Sequence, residues 1–162
     1  MLLEDLKRIA ELTKGSNQGE FYSRKVESAK AVQVVSVKEV LTERDIKWIK
    51  EVLKPKCKEC YKNAMRFAMR FNCLYVEGQY EVCGFGTDHA FNKIGGKYVD
   101  ITAEFALQDR NITPAKEYLS IAEYTNHDAM DCVLKMGCYD SVFNYKYVEE
   151  LKNGSKKQNG ED

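Results

Sequence analysis

The chain has 162 residues, of which 44% are hydrophobic and 31% charged, and its basic and acidic residues balance to a formal net charge of zero. This length and composition predict one globular domain with enough apolar material for a core. The charge balance gives no electrostatic reason to expect a nucleic-acid partner or binding to a membrane surface.

The first residues do not resemble a secretory signal, because Glu4, Asp5 and Lys7 interrupt the leucines. No stretch of the chain approaches the length of a membrane span. We therefore expect a cytoplasmic protein with no membrane partner. In that compartment the six cysteines are expected to be reduced thiols.

Amphipathic spacing predicts an N-terminal helix over residues 1–14, and a valine-rich segment predicts a strand over 31–40. Thr42, with Asp45 three residues later, is typical of a helix N-cap, and an apolar stripe follows it. No repeat or linker divides the chain. We predict a single domain over 1–152 and a disordered polar tail over 153–162, whose composition favours disorder.

A central helix is predicted from about Lys58 to Asn72, because its apolar residues recur with helical spacing after Cys60. These residues are Ala64, Phe67, Ala68 and Phe71. Cys60 then lies in the first turn of the helix. Unpaired backbone N–H groups and the positive end of the helix dipole favour a thiolate at such a position.

Downstream, two strands are predicted over 87–94 and 97–102, joined by the dipeptide Gly95-Gly96, which suits a two-residue hairpin turn. With this turn, His89 and Asp100 are diagonal neighbours on one face, and their Cα atoms are roughly 7–8 Å apart. A three-residue loop would place them on opposite faces. The other face presents a packing surface formed by Ala90, Ile94, Val99 and Ile101.

After the hairpin, residues 103–114 look irregular, and a helix is predicted over 126–136 with Gly137 as its C-cap. Residues 139–151 are rich in aromatic side chains and predict a strand that enters a short terminal helix. His127, at the start of the predicted helix, is expected to face solvent or to cap the helix. It is a rival base only if the fold brings it to Cys60.

Cys60, His89 and Asp100 follow one another along the chain in an order that suits a thiol nucleophile, its base and the carboxylate that orients the base. Their setting resembles the transglutaminase-like branch of the papain-like cysteine enzymes, in which a helix-borne Cys is followed by a His-Ala-aromatic strand and an Asp-x-Thr strand. The match covers about residues 55–105, and the aromatic residue after His-Ala is Phe91 where Trp is usual. The matching segments are CYKNA at 60–64, YVEG at 75–78, HAFN at 89–92 and YVDIT at 98–102.

The resemblance implies an α+β fold of transglutaminase-like or papain-like type, with the Cys-bearing helix packed on an antiparallel sheet, as in the short stand-alone members from bacteria and phages. It also implies a catalytic triad of Cys60, His89 and Asp100. Cys60 would attack a carbonyl carbon, His89 would take and return the proton, and Asp100 would hold the imidazole.

We therefore predict a cysteine-dependent acyl-transfer enzyme that needs no cofactor and hydrolyses an amide or peptide bond. Release by an amine instead of water would make it a transferase, and the sequence leaves both routes and the oligomeric state open. Substrate-side candidates are Tyr75, Glu77 and Tyr118, although Glu77 also fits an exposed strand carboxylate. Besides the Cys60 backbone N–H, no oxyanion donor is assigned.

Two alternatives accompany this prediction. Cys57 and Cys60 form a C-x-x-C pair, which occurs in zinc and redox sites, but no second close pair of ligands follows it and no metal is expected. A thioredoxin-like site would need a strand before the pair, and a polar approach precedes it instead. The runner-up function is a non-enzymatic interaction or inhibitor protein that keeps the scaffold and does not need a reactive thiol.

Overall fold

The computed structural model describes residues 1–107 and 117–158, with side chains as far as residue 155. These ranges form a mixed α+β structure. Its helices are α1 (Leu2–Leu12), α2 (Asn17–Ser28), α3 (Glu43–Trp48), α4 (Cys60–Phe71), α5 (Asn126–Met136) and α6 (Val142–Gln158). Its strands are β1 (Lys30–Val32), β2 (Val34–Val35), β3 (Leu74–Val82), β4 (Phe85–Ile94), β5 (Lys97–Val99) and β6 (Tyr118–Tyr124).

The strands form one sheet in the order β1-β6-β3-β4-β5-β2, and every neighbouring pair is antiparallel except β2 with β5. The first and last strands in this order are separated in the chain only by Gln33. Two Cα steps span at most about 7 Å. The sheet must therefore curl until its two edges approach each other at residue 33.

The inner face of this curl has its own apolar cluster. Val76, Phe91 and Tyr118 are buried there, and Val32 and Val34 from the two edge strands pack against them. Because side chains alternate along a strand, His89 lies on the same face of β4 as Phe91. The predicted base therefore points into the curled sheet.

Helix α4 covers the opposite face of the sheet. Its Ala64 and Ala68 pack with Tyr75 of β3 and Ala90 of β4 in one buried cluster. The buried Asn92 side chain ties the two layers together, because its Nδ2 donates to the backbone oxygen of Ala64 at 2.9 Å. The Cys-bearing helix thus packs on antiparallel strands, as predicted.

Several local predictions are confirmed. Thr42 Oγ1 accepts a hydrogen bond from the backbone N–H of Asp45, and Gly137 ends α5 with a φ of 74°. The hairpin turn has two residues, since Ile94 pairs with Lys97. This is the register that places His89 and Asp100 on one face.

Other predicted elements have the wrong boundaries. Strand β5 stops at Val99, before the predicted Thr102, because Asp100 accepts hydrogen bonds that start a helical turn: the Ala103 N–H donates to its side chain and the Glu104 N–H to its backbone oxygen. Thr102–Ala106 continues this turn as a short π-helix, so the expectation of irregular structure is wrong for 103–106, while 108–114 lie outside the described residues.

The C-terminal segment also differs from the prediction. Residues 142–151 form helix α6 without a preceding strand, because the carboxylate of Glu77 accepts N–H groups at the start of that helix. The helix continues to Gln158, so the predicted disordered tail is wrong for 153–158, while 159–162 lie outside the described residues.

Three further elements depart from the sequence pattern. Only Lys30–Val32 and Val34–Val35 of the predicted 31–40 strand are extended, because Ser36 caps a 3₁₀ turn at Val37–Glu39. Helix α2 and strand β6 were not predicted; Ser16 caps α2, and β6 pairs with β3 and β1. No helix in the described ranges is long and apolar enough to cross a membrane.

The packing of β3 against β6 predicts the effect of one substitution. An alanine Cβ at Gly78 would lie 1.8 Å from the Leu119 backbone oxygen, where the two strands shift register. We expect Gly78→Ala to lower the free energy of unfolding by about 1–3 kcal/mol, measured by urea denaturation.

Gly154→Ala is the matched control. No atom lies within 4 Å of a Cβ added at Gly154, which is within α6, so this change is expected to stabilise by about 0.5–1 kcal/mol. Equal effects of the two substitutions would contradict the close approach at Gly78.

Candidate active site

Cys60 is the first residue of α4, and a buried asparagine holds the loop that leads to it. Asn63 Nδ2 donates to the backbone oxygen of Lys56 at 2.8 Å and to Thr102 Oγ1 at 3.0 Å. Its Oδ1 accepts the Lys56 N–H at 3.3 Å. Asn63 therefore joins the loop before the cysteine to the segment that follows Asp100.

His89 and Asp100 form the closest polar contact of the site. Nε2 of His89 lies 2.7 Å from Oδ2 of Asp100, and the two residues are 3% and 2% exposed. Tyr118 donates its hydroxyl to the same carboxylate oxygen at 2.9 Å, and the Ala103 N–H donates to the other oxygen at 3.0 Å. The carboxylate thus accepts hydrogen bonds at both oxygens, as a buried charge requires.

The pair shifts both pKa values. Burial by itself would lower the pKa of His89, but the charge and hydrogen bond of Asp100, together with Cys60, raise that pKa to about 10. Burial would raise the pKa of Asp100, but His89, Ala103 and Tyr118 lower it. Both shifts favour the form in which an imidazolium faces a carboxylate.

Cys60 lies beside this pair. Its thiol is one of the groups that raise the pKa of His89. The described residues include no Cys60–His89 hydrogen bond of normal length and angle, so the contact between the thiol and the imidazole is loose. Catalytic hydrogen bonds are often long until substrate binds. Because Asp100 occupies Nε2, Nδ1 is the ring nitrogen available to a thiol.

Tyr80 forms a wall of the site. Its ring stacks on the His89 ring with centroids 4.0 Å apart and an interplanar angle of 24°. Burial raises the pKa of the Tyr80 phenol, and the negative charges of Asp100, Cys60 and Cys57 raise it further. Sequence patterns did not identify Tyr80 as a site residue, because its contact with His89 depends on the β3–β4 register, in which the two residues are diagonal neighbours.

The three substrate-side candidates are buried and hydrogen-bonded within the protein. Tyr118 donates to Asp100, and Tyr75 donates to Glu77 at 3.0 Å. Glu77 is 5% exposed, so its reading as an exposed strand carboxylate is wrong. It accepts the Ser141 hydroxyl at 2.7 Å and the Val142 N–H at 2.5 Å. Burial raises the pKa of Glu77, against the lowering effect of these donors.

A small cavity lies between the sheet and the helices beside His89. Its volume is about 10 Å³, which is room for roughly one water molecule. Its polar lining residues are Lys25, Tyr61, Glu77, Asp88, His89 and Ser141. The cavity is too small for a substrate side chain without movement of its walls.

The sequence also offered a metal site and His127 as alternatives. No group of three or more His, Cys, Asp or Glu side chains in the described part of the chain is arranged to hold a metal ion. His127 is exposed at the start of α5, in a surface groove beside the Gly95-Gly96 turn.

The chain matches no protein-family model, no curated protein and no solved structure. The mixed α+β fold is therefore assigned from the helices and the strand order of the structure alone. The resemblance of about residues 55–105 to transglutaminase-like enzymes stays a prediction.

The raised pKa of His89 predicts a pH dependence of stability. The imidazolium contributes fully below the ordinary histidine pKa of about 6.5 and loses its contribution as pH rises towards about 10. The lowered pKa of Asp100 makes its contribution present above about 3.9 and lost as pH falls towards the folded value. We therefore expect the free energy of unfolding of the parent protein to fall as pH rises from about 6.5 towards about 10, and His89→Leu, which leaves the buried Asp100 carboxylate unpaired, to cost about 3–5 kcal/mol.

Urea denaturation of both proteins from pH 5 to pH 10 measures this difference. His127→Leu, at an exposed histidine, is the control and should show almost no cost across the range. A parent protein whose stability does not fall between about pH 6.5 and about pH 10 would show that the buried histidine is neutral.

Proposed function

We propose that the protein is a cysteine-dependent acyl-transfer enzyme of transglutaminase-like or papain-like type that hydrolyses an amide or peptide bond. The observation that carries the proposal is the buried 2.7 Å contact between His89 and Asp100, with Cys60 beside it at the start of α4. An imidazole held by a carboxylate next to a thiol is the arrangement that activates a cysteine nucleophile.

In the proposed reaction, the Cys60 thiolate attacks the carbonyl carbon and forms a carbon–sulfur bond. The His89 imidazolium gives its proton to the leaving nitrogen as the carbon–nitrogen bond breaks, which leaves a thioester. Water then attacks the thioester while His89 takes its proton, and the thiolate leaves as the acid forms. Asp100 keeps the imidazole in place and does not itself react.

Backbone N–H groups at the start of α4 are suited to stabilise the oxyanion. The first hydrogen bond of the helix runs from the Asn63 N–H to the Glu59 oxygen, and Glu59 provides no side-chain cap. The N–H groups of Cys60, Tyr61 and Lys62 precede that bond and have no acceptor within the described ranges. They supply donors next to the attacking sulfur.

Hydrolysis and transfer share the acylation step and differ only in whether water or an amine attacks the thioester. The substrate class that follows is a peptide or other amide, free or within a protein. This chemistry is complete with the side chains and backbone donors of the site, without a cofactor.

A non-enzymatic interaction or inhibitor protein is the second candidate. The deep burial of His89 and Asp100 favours this reading. A binding scaffold can retain a buried ion pair for conformational specificity without using it in catalysis.

Thiol reactivity separates the two candidates. Exposure alone favours Cys83 and Cys138, which are exposed, over Cys60, which is partly buried. We nevertheless expect limiting iodoacetamide near neutral pH to label Cys60 first, as measured by peptide mass mapping, because its imidazole partner favours the thiolate. His89→Ala should remove this preference. First labelling of Cys83 or Cys138 in the unmodified protein would favour the binding scaffold.

Turnover of an activated acyl reporter, such as p-nitrophenyl acetate, tests catalysis directly. Cys60→Ala and His89→Ala should abolish turnover, whereas Asp100→Asn should reduce it by about 10⁴-fold and leave residual activity. Cys138→Ala is the control and should retain full activity, since Cys138 is an exposed residue after α5. Circular dichroism checks that each variant is folded. Turnover that survives Cys60→Ala would overturn the proposed nucleophile.

A further inference from the structure

The proposed triad leaves a second cysteine of the same loop without a role. Cys57 lies three residues before Cys60, and both are partly exposed reduced thiols. An extended chain would separate their Cα atoms by about 10 Å. Here the segment turns instead, since the Glu59 N–H donates to the Lys56 oxygen and Lys58 has a left-handed φ of 65°.

The turn is held in place by Asn63. This side chain bonds to the N–H and to the oxygen of Lys56, directly before Cys57. Cys57 and Cys60 therefore belong to one clamped turn.

Within the described residues, no third ligand joins Cys57 and Cys60 in an arrangement for a metal ion. Two partly exposed free cysteines in one turn are chemically suited to thiol–disulfide exchange.

We propose that Cys57 and Cys60 form a reversible disulfide that holds the nucleophile in an inactive state, so that Cys57 makes the site a redox switch. The formation of the disulfide depends only on the two thiols. Its effect as a switch rests on the proposed catalytic role of Cys60.

The oxidant is a low-molecular-weight disulfide such as glutathione disulfide. The Cys60 thiolate attacks one of its sulfurs, which forms a mixed disulfide and releases one glutathione thiolate. The Cys57 thiolate then attacks the Cys60 sulfur and releases the second glutathione. Two protein thiols are oxidised to one disulfide, one glutathione disulfide is reduced to two thiols, and the two protein protons pass to the leaving thiolates.

The experiment incubates the full chain with glutathione disulfide and measures its intact mass and peptide map. Oxidised protein should be lighter by two hydrogen atoms, with a peptide that links Cys57 to Cys60, and dithiothreitol should restore the original mass. Alkylation of Cys60 by iodoacetamide should be lost in the oxidised form and should return after reduction.

Cys57→Ser and Cys138→Ser form the matched pair of variants. Cys57→Ser should stop at the mixed disulfide, which adds the mass of one glutathione at Cys60, whereas Cys138→Ser should form the internal disulfide as the parent does. A parent chain that retains glutathione on Cys60, or that links Cys60 to another cysteine, would overturn the proposal.

A reporter assay on the same samples distinguishes the two proposals. If the disulfide forms but reduced protein shows no Cys60-dependent turnover, the pair is a redox site and the acyl-transfer proposal fails. If reduced protein turns over substrate but no Cys57–Cys60 disulfide forms, catalysis stands and the switch fails.

Discussion

The buried contact between His89 and Asp100 is the interaction on which the interior of the curled sheet depends. Two opposite charges at 3% and 2% exposure are tolerated only because each is paired, and because Tyr118 and Ala103 satisfy the remaining oxygen positions of the carboxylate. These donors belong to β6 and to the turn after β5. The same contact therefore joins β4, β6 and the end of β5.

The curl of the sheet makes this burial possible. Residues 30–35 pair with β6 through β1 and with β5 through β2, so one short segment links both edges. At one end of the curl, the Glu123 carboxylate forms ion pairs with Lys30 and Lys93 and accepts a hydrogen bond from the Tyr98 hydroxyl. Burial opposes the ionised form, but these donors lower the pKa of Glu123 to about 2. A charged cluster thus closes the curl where the apolar interior ends.

The outer face uses a second buried carboxylate for a different purpose. The Glu77 carboxylate accepts hydrogen bonds from the Ser141 hydroxyl and from N–H groups in the first turn of α6. These N–H groups have no partner within the helix, and the positive end of the helix dipole attracts a carboxylate. The protein therefore has two buried carboxylates on neighbouring strands. Asp100 pairs with an imidazolium beside the thiol, and Glu77 anchors the C-terminal helix to the sheet.

The sequence alone determined the parts of the site that depend on short-range geometry. Helical spacing placed Cys60 in the first turn of α4, and the Gly95-Gly96 dipeptide set the hairpin register that brings His89 to Asp100. Both follow from backbone periodicity over about ten residues, within which spacing along the chain decides spacing in space.

Tertiary structure alone decided how these pieces are enclosed. Tyr80 stacks on His89, Tyr118 bonds to Asp100 and Glu77 caps α6 only because β3, β4 and β6 lie side by side, and β6 comes from a distant part of the chain. No local pattern shows that an alternating strand carboxylate such as Glu77 faces a helix end instead of solvent. Burial is set by which elements pack together, and that depends on long-range pairing and on the total free energy of the fold, which local periodicity does not encode.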